Sequence, residues 1–438
     1  MRRPTWAAAV VLTSVTLIAA AGAQTRWNGS MNEIAERYVR LVLAVGQHDP
    51  DYVDAFYGPA EWKDAAARDK RPLSALGDEA SRLIADMPPP SSRDGDPLTP
   101  LRREYLLGQV RSLQARVRML QGTRLTFDEE SKALYDAVAP EHPASDFDRA
   151  LGELDALLPG PGSLIERVDR FRHDFIIPTD RLARVFDRTI EECRSRTRAH
   201  VELPAGESFR VEYVTNKAWS GYNWYQGQYH SVIQVNTDLP IYVDRAVDLA
   251  CHEGYPGHHV YNVRLEQQLV RGRGWIEYTI YPLFSPQSLI AEGTANYGID
   301  VAFPGEERTA FERDVVFPLA GLDATRAAEY ARVLALADRL SYAGNEAARS
   351  YLNGRMDRRQ AAEWLVQYAL MSPSRAEQRV RFFDQYRSYV INYNLGKDLV
   401  KAHVESQAGR SRDARWQAFT ELISSPRLQS GLRSAVQP

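Results

Sequence analysis

The sequence has little of several features that identify common protein classes. It contains only two cysteines and nine histidines in 438 residues, and its net charge is −3, with acidic and basic residues interspersed. Two cysteines exclude a small domain held together by a framework of disulfides. Because no basic patch stands out, there is no electrostatic footprint for nucleic acid, and we expect no nucleic-acid partner. The apolar fraction of 44% is ample for a large buried core.

A short apolar stretch follows Arg2 and Arg3 at the N-terminus. It is too short and too rich in alanine to serve as a membrane anchor. A positively charged start, a short apolar run and the small residues Ala21-Gly22-Ala23 together form the pattern of a cleaved secretory signal. We therefore expect residues 1–23 to be removed near Ala23. The mature protein is then periplasmic or secreted, with no stable membrane insertion after cleavage.

Three of the nine histidines fall within eight positions, in the segment Cys251-His252-Glu253-Gly254-Tyr255-Pro256-Gly257-His258-His259. Imidazole nitrogens suit Zn²⁺, and a carboxylate beside the first ligand can deprotonate a metal-bound water. We therefore predict His252 as a zinc ligand and Glu253 as a general base. Adjacent residues on a helix point about 100° apart, so we interpret Cys251 as a small core residue. Whether it is bonded to Cys193 or both are buried thiols stays open.

The spacing of the histidines differs from that of the usual H-E-x-x-H motif, in which the two ligands lie one helical turn apart. Pro256 lacks an N–H and would clash with the carbonyl four residues earlier, so a regular helix cannot run through this segment. Widening the turn by two residues would bring His258 to the place of the usual second histidine, and this is the ligand we predict. His259 would then face the cleft as a hydrogen-bond donor, or would be the ligand if the bulge is larger.

The remainder of the chain is dominated by helical periodicity. Ser30 and Glu33 form a capping box at the first helix, and helix follows helix through an N-terminal region that we assign to residues 24–204. Strand patterns occur only at about 205–240, at the start of a catalytic region assigned to 205–438. We predict a mainly α chain with a small antiparallel β element beside the metal-binding helix.

Residues 209–214 and 230–236 alternate as strands do, and we predict that they pair antiparallel. The segment between them, at 219–225, is too aromatic for an ordinary solvated loop. Two interpretations stay open. The free edge of this element could hold an extended peptide, with the aromatic rings lining side-chain pockets, or the element could pack beneath the helices with its rings in the core.

Glu292 lies in an apolar run and would be costly to bury without a partner. We predict it as the third metal ligand, with a salt bridge as the alternative. Asn296, one turn later, could orient a ligand imidazole, but we interpret it as an ordinary helical residue. The C-terminal part of the chain is dense in tyrosines, and Tyr389 or Tyr393, with His259, could donate a hydrogen bond to a developing oxyanion. The alternative is that these tyrosines only fill the core.

The segment His252-Glu253-Gly254-Tyr255-Pro256-Gly257-His258-His259 resembles the H-E-x-x-P-G-H-H signature of the bacterial family called domain of unknown function 885. Three shorter motifs agree, and with them the resemblance covers roughly residues 205–400: Val235-Asn236-Thr237, Glu292-Gly293-x-Ala295-x-Tyr297 and Tyr393-x-x-Gly396. The resemblance implies a large helical domain like that of zinc metallopeptidases, with a deep cleft.

We therefore interpret the protein as a zinc-dependent hydrolase, a metallopeptidase that takes peptide substrates. Two alternatives remain. The enzyme could hydrolyse a non-peptide amide or an ester at the same metal site, or the protein could bind metal or peptide without turnover. A carboxylate at Glu253 argues against the second alternative, because binding alone needs no base there.

Overall fold

The structure is a computed structural model, and it describes residues 30–90, 95–217 and 219–434. The predicted signal peptide lies outside the described residues. The chain is 66% helical, which confirms the predicted mainly α class. Ser30 caps the first helix through the predicted box, since its hydroxyl accepts the N–H of Glu33 while the Glu33 carboxylate accepts the N–H of Ser30.

Helices and one short strand make up the N-terminal region. In chain order they are α1 (Met31–Val45), β1 (Val53–Phe56), α2 (Ala60–Arg68), α3 (Leu73–Ala85), α4 (Leu98–Leu120), α5 (Phe127–Tyr135), α6 (Ala144–Leu157), α7 (Leu164–His173) and α8 (Leu182–Arg198). Their buried apolar residues belong to one continuous core that runs from Ile34 in α1 to Leu432 near the C-terminus.

A small mixed sheet follows, made of β2 (Ser208–Val214), β3 (Gly221–Gly227) and β4 (His230–Asn236). The strand order is β2-β4-β3, with β3 antiparallel and β2 parallel to β4. The small β element with an antiparallel pair is confirmed, but the predicted pairing of 209–214 with 230–236 has the wrong direction. The aromatic segment is itself a strand, and it forms the hairpin with β4. The most buried strand, β4, takes the centre, which leaves its other side to β2.

The rest of the chain is helical apart from one strand that pairs antiparallel with β1. This strand, β5, covers Ile280–Pro282. The helices are α9 (Val243–Leu249), α10 (His258–Leu265), α11 (Pro286–Ala302), α12 (Glu307–Phe311), α13 (Phe317–Ala320), α14 (Ala327–Asp338), α15 (Ala343–Leu352), α16 (Arg358–Tyr368), α17 (Pro373–Tyr386), α18 (Ile391–Ala408), α19 (Arg412–Leu422) and α20 (Gln429–Ser434).

Helices α11 and α18 cross at two glycines. A Cβ atom added to Gly293 would lie 2.4 Å from the carbonyl oxygen of Gly396, and one added to Gly396 would lie 2.8 Å from the carbonyl oxygen of Leu289. Only glycine therefore permits this approach of the two backbones. Glu292 precedes the first glycine and Tyr393 lies three residues before the second, so the crossing sets the glutamate and the tyrosine side by side.

Cys193 of α8 and Cys251 form a disulfide with a Cα–Cα distance of 5.7 Å, within the usual range. This resolves the alternative that the sequence left open. The bond joins the N-terminal region to the residue next to His252. Among the described residues, no helix is both long and apolar enough to cross a membrane.

Candidate metal centre

The histidine-rich segment contains a widened helical turn. After α9 the helix continues as a π-helical turn over Ala250–Gly254, and α10 begins at His258. The N–H of Gly257 bonds to the carbonyl of Cys251, six residues earlier, at 2.9 Å. That is two residues more than in an α-helix. A Cβ atom at Gly257 would lie only 1.9 Å from the carbonyl oxygen of His252, so the turn requires glycine.

This turn brings two imidazoles together, and α11 adds a carboxylate. The Nε2 atoms of His252 and His258 are 3.1 Å apart, and the Oε2 atom of Glu292 lies 3.4 Å from the first and 3.7 Å from the second. A point equidistant from these three atoms is about 2.0 Å from each, which matches the roughly 2.0–2.2 Å of zinc–nitrogen and zinc–oxygen bonds.

The chemistry of the three groups also fits a cation. The Oε2 atom of Glu292 is buried and has no hydrogen-bond partner among the described residues. Burial alone would raise the pKa of Glu292, but the adjacent His252 and His258 hold it well below its usual range. The carboxylate is therefore ionised and directed at the two imidazoles. These residues form the one group of three or more potential ligands within the described part of the chain.

Asn296 fixes the orientation of the His252 ring. Its side-chain N–H₂ donates to the backbone carbonyl of Tyr393 at 3.2 Å, so its Oδ1 atom must accept from Nδ1 of His252, also at 3.2 Å. The proton on Nδ1 leaves the lone pair of Nε2 free for a cation. The interpretation of Asn296 as an ordinary helical residue is therefore wrong. Its sequence position, one turn after Glu292, was the available signal.

Tyr389 supports the carboxylate. Its hydroxyl donates to Oε1 of Glu292 at 2.8 Å, which leaves Oε2 facing the histidines. The tyrosine is held in place by a buried turn at the start of α18, where Glu130 accepts the hydroxyl of Ser388 at 2.7 Å and the Nε–H of Arg387 at 2.7 Å. The hydrogen of the Tyr389 hydroxyl is therefore used in the bond to Glu292, the candidate ligand.

Glu253 lies beside this group, outside the three ligand atoms, and lines the cleft. Its backbone carbonyl accepts a hydrogen bond from the side chain of Asn223 in β3 at 2.8 Å. Its carboxylate packs against Gly221, where an added Cβ atom would lie 2.8 Å from Oε1. The first residues of β3 therefore position the Glu253 side chain.

Tyr393 lines the cleft next to Tyr389, with ring centroids 5.7 Å apart. Burial first, and then the charge of Glu292, raise the pKa of Tyr393 well above its usual value, with a further contribution from Glu253. The phenol therefore keeps its proton and can donate a hydrogen bond. Among the described residues, its hydroxyl has no hydrogen-bond partner.

His259 does not face the cleft, which corrects the sequence-based expectation. It is fully buried, with Nδ1 2.8 Å from the hydroxyl of Ser231 and Nε2 2.9 Å from Glu207. The cause is its place on α10, where it follows His258 and points about 100° away from it, towards Ser231 and Glu207. Glu207 also accepts from Tyr255 at 2.7 Å, so this carboxylate joins a residue within the widened turn to the start of α10.

Two acidic residues near the centre carry no sequence signal. Burial raises the pKa of Glu207, but hydrogen bonds from His259, Tyr255 and an arginine lower it to about 2. Asp54 lies in β1 and lines the cleft, where burial raises its pKa to about 7 although a hydrogen bond from Tyr222 at 3.1 Å opposes the change. Neither residue lies near the histidines in sequence, so only the fold brings them together.

The cleft around the centre has a volume of about 1420 Å³. This exceeds the roughly 300–1,000 Å³ of pockets for drug-sized ligands. For the aromatic segment, the sequence left open whether its rings line the cleft or lie in the core, and the structure shows both. Trp219, Tyr222 and Tyr225 all line the cleft. Tyr225 is also buried, and its hydroxyl donates to Glu266 at 2.6 Å. Strand β3 forms the edge of its sheet on this side.

No protein-family model matches the chain, and a search of curated proteins finds no match either. Among solved structures, a candidate lipoprotein from Colwellia psychrerythraea is 15% identical, with a TM-score of 0.52 over 93% of this chain and 76% of that one. The M32 carboxypeptidase from Deinococcus radiodurans R1 is also 15% identical, with a TM-score of 0.36 over 92% and 96%. Only the first score exceeds 0.5, and at this identity it shows a shared fold alone.

Proposed function

We propose that the protein is an exported zinc-dependent hydrolase of peptides and that its resemblance to the domain of unknown function 885 family reflects membership. The observation that carries the proposal is the convergence of His252, His258 and Glu292 on one point at zinc-bonding distance. A fourth side of that point is left to the cleft, as catalytic zinc sites require. The unpaired Oε2 atom of Glu292 supports the same assignment.

Zinc at this point would polarise the substrate carbonyl and activate a water molecule. Glu253 is placed to accept the proton of that water and then to deliver it to the leaving amine. Tyr393 is placed to donate its hydroxyl hydrogen to the negative charge that develops on the carbonyl oxygen. The buried surroundings strengthen both interactions, because the local dielectric is low.

A peptide is the substrate class that the cleft supports best. Strand β3 borders the cleft next to Glu253, and a sheet edge can hold an extended chain by backbone hydrogen bonds. The rings of Trp219 and Tyr222, whose centroids are 5.5 Å apart, offer apolar surface for side chains. The volume of the cleft leaves room for several residues.

An exported location is supported by two features. The predicted signal over residues 1–23 directs the chain out of the cytoplasm. The disulfide between Cys193 and Cys251 is of a kind that persists in oxidising compartments and is rare in the cytosol.

The test is peptide hydrolysis by the purified protein, with and without a chelator. We expect cleavage that chelation abolishes and zinc restores. Glu253→Gln should keep its zinc and lose about 100- to 10,000-fold in rate, whereas the exposed Glu377→Gln should behave as wild type. A metal-free protein that takes up no zinc contradicts the site. Activity only on esters or non-peptide amides would mean that the enzyme hydrolyses a different type of bond. Bound zinc without any turnover would indicate a binding protein.

A further inference from the structure

The arginines that line the cleft fall into two groups. Arg172 forms an ion pair with Asp244 at 3.9 Å, and Arg245 and Arg308 form ion pairs with Asp248 at 3.1 and 2.9 Å. Arg375 and Arg379 of α17 differ. Among the residues that the structure describes, no carboxylate oxygen lies within 4.0 Å of either guanidinium group. Two cationic side chains therefore line the cleft without an ion-pair partner among the described residues.

Arg379 is partly withdrawn from water as well as without an ion pair. Its Nε atom is buried and has no hydrogen-bond partner in the described chain. Its guanidinium lies 4.5 Å from the ring centre of Phe382 and 5.7 Å from that of Tyr393. Burial lowers the pKa of Arg379, because water is removed from the charged group. Aromatic rings compensate a buried charge only in part, so this position is costly unless an anion joins it.

Arg375 lies one helical turn before Arg379 and repeats the arrangement. Its guanidinium is 5.7 Å from the ring centre of Tyr242, which also carries Arg172 at 4.2 Å. Burial and the nearby charges of Arg172 and Arg245 lower the pKa of Arg375. Tyr242 and Asp169 oppose this change only in part, so an anion beside Arg375 would stabilise its charge.

The arginines are connected to the metal centre through Tyr393. Its ring centre is 5.7 Å from the guanidinium of Arg379 and 5.7 Å from the ring centre of Tyr389, whose hydroxyl bonds to Glu292. An extended peptide advances about 3.3–3.6 Å per residue. A peptide group bound at Arg379 is therefore only a few residues away from the bond at the metal centre.

We propose that Arg379, with Arg375 one turn away, binds a carboxylate of the substrate, so that the preferred peptides carry a negative charge within a few residues of the cleaved bond. This inference rests on the proposed function for its substrate class. The carboxylate can be the C-terminal group of the peptide or the side chain of an aspartate or glutamate. Arginine recognises both through paired N–H donors.

Binding is measured by calorimetric titration of the zinc-loaded Glu253→Gln protein, in which turnover is suppressed. The ligands are N-acetylated peptides of one neutral sequence, ending in a free carboxylate or an amide, and an amidated version with one glutamate. The same titrations use Glu253→Gln combined with Arg379→Gln. The matched control is Lys401→Gln, since Lys401 is an exposed cation that also lines the cleft.

We expect at least one carboxylate-bearing peptide to bind about 10- to 150-fold more tightly than the neutral amide, as charge-assisted hydrogen bonds imply. Arg379→Gln removes that difference and Lys401→Gln keeps it. Preference for the free terminus identifies the C-terminal carboxylate as the source, and preference for the glutamate peptide identifies the side chain. Equal binding of all three peptides, no binding, or a preference that survives Arg379→Gln overturns the inference.

Two further readouts separate this inference from neighbouring explanations. Arg379→Gln removes an uncompensated charge, so its Tm should equal or exceed that of the parent protein. A fall of more than a few degrees would mean that the fold itself uses the charge, and would overturn the inference. Charge-dependent binding without hydrolysis by the wild type refutes the proposed function alone. Hydrolysis indifferent to peptide charge refutes the inference alone.

Discussion

Tyr389 and Tyr393 lie one helical turn apart, yet the structure predicts opposite consequences when each loses its hydroxyl. Tyr389 donates to ionised Glu292 at 2.8 Å, and a hydrogen bond to a charged group contributes about 1.5–3 kcal/mol. Tyr389→Phe should therefore weaken zinc binding about 10- to 100-fold, as loss of a group that orients a ligand does. At saturating zinc its kcat should fall less than that of Tyr393→Phe.

Tyr393→Phe should show the reverse. Its hydroxyl supports no ligand in the structure, so the affinity for zinc should stay within a factor of about two or three of wild type, the spread expected when no contact is lost. Removal of one donor to an oxyanion typically costs about 100- to 1,000-fold in rate, or roughly 3–4 kcal/mol. The loss should appear in kcat with little change in KM, because the donor acts mainly in the transition state.

The assay combines two measurements on each variant. Zinc affinity is obtained by competition with a chromogenic chelator, and kcat and KM are obtained on a cleaved peptide at saturating zinc. The reasoning is refuted if Tyr389→Phe binds zinc as the wild type does. It is also refuted if both single variants and the double variant keep wild-type kcat, which would return the tyrosines to a packing role.

Two other perturbations test the surroundings of the centre. Gly221→Ala places a Cβ atom 2.8 Å from Oε1 of Glu253. We expect this atom to displace the base, so that kcat falls by up to about 100-fold while the zinc content stays the same. An unchanged kcat would show that Glu253 is not held there. Replacing Cys193 and Cys251 by alanine opens a loop with a sequence separation of 58. The free energy of unfolding measured in urea should therefore fall by about 4 kcal/mol. A variant as stable as the wild type would contradict the presence of the bond.

The sequence predicted the elements of the site that depend on local backbone chemistry. Pro256 and Gly257 forbid a regular helix, and the widened turn they allow selects His258 by geometry alone. Glu292 was recognisable because a carboxylate in an apolar run needs a partner. Assignments of this kind need only the neighbouring residues in the chain.

Contacts between segments that are far apart in the chain could not be predicted from the sequence. The pairing of β1 brings Asp54 near the centre, and the loop before β2 brings Glu207 there. In the sequence, neither residue can be told apart from an ordinary acidic residue. The direction of β2 was missed for a related reason. Alternation of side chains identifies a strand but not the direction in which it pairs. Strand β3 forms the antiparallel hairpin with β4, and β2 pairs with the other side of β4 in parallel. The prediction for His259 was wrong because the direction of its side chain depends on where α10 begins, which the sequence does not show.

The crossing of α11 and α18 bears on how the cleft moves when a ligand enters. Helices that pack through layers of side chains slide past each other by small changes of rotamer. Gly293 and Gly396 leave no such layer between the two backbones. The backbone contact therefore resists sliding of the two helices and holds Glu292 and Tyr393 at one spacing, so a ligand that enters the cleft has to fit that spacing.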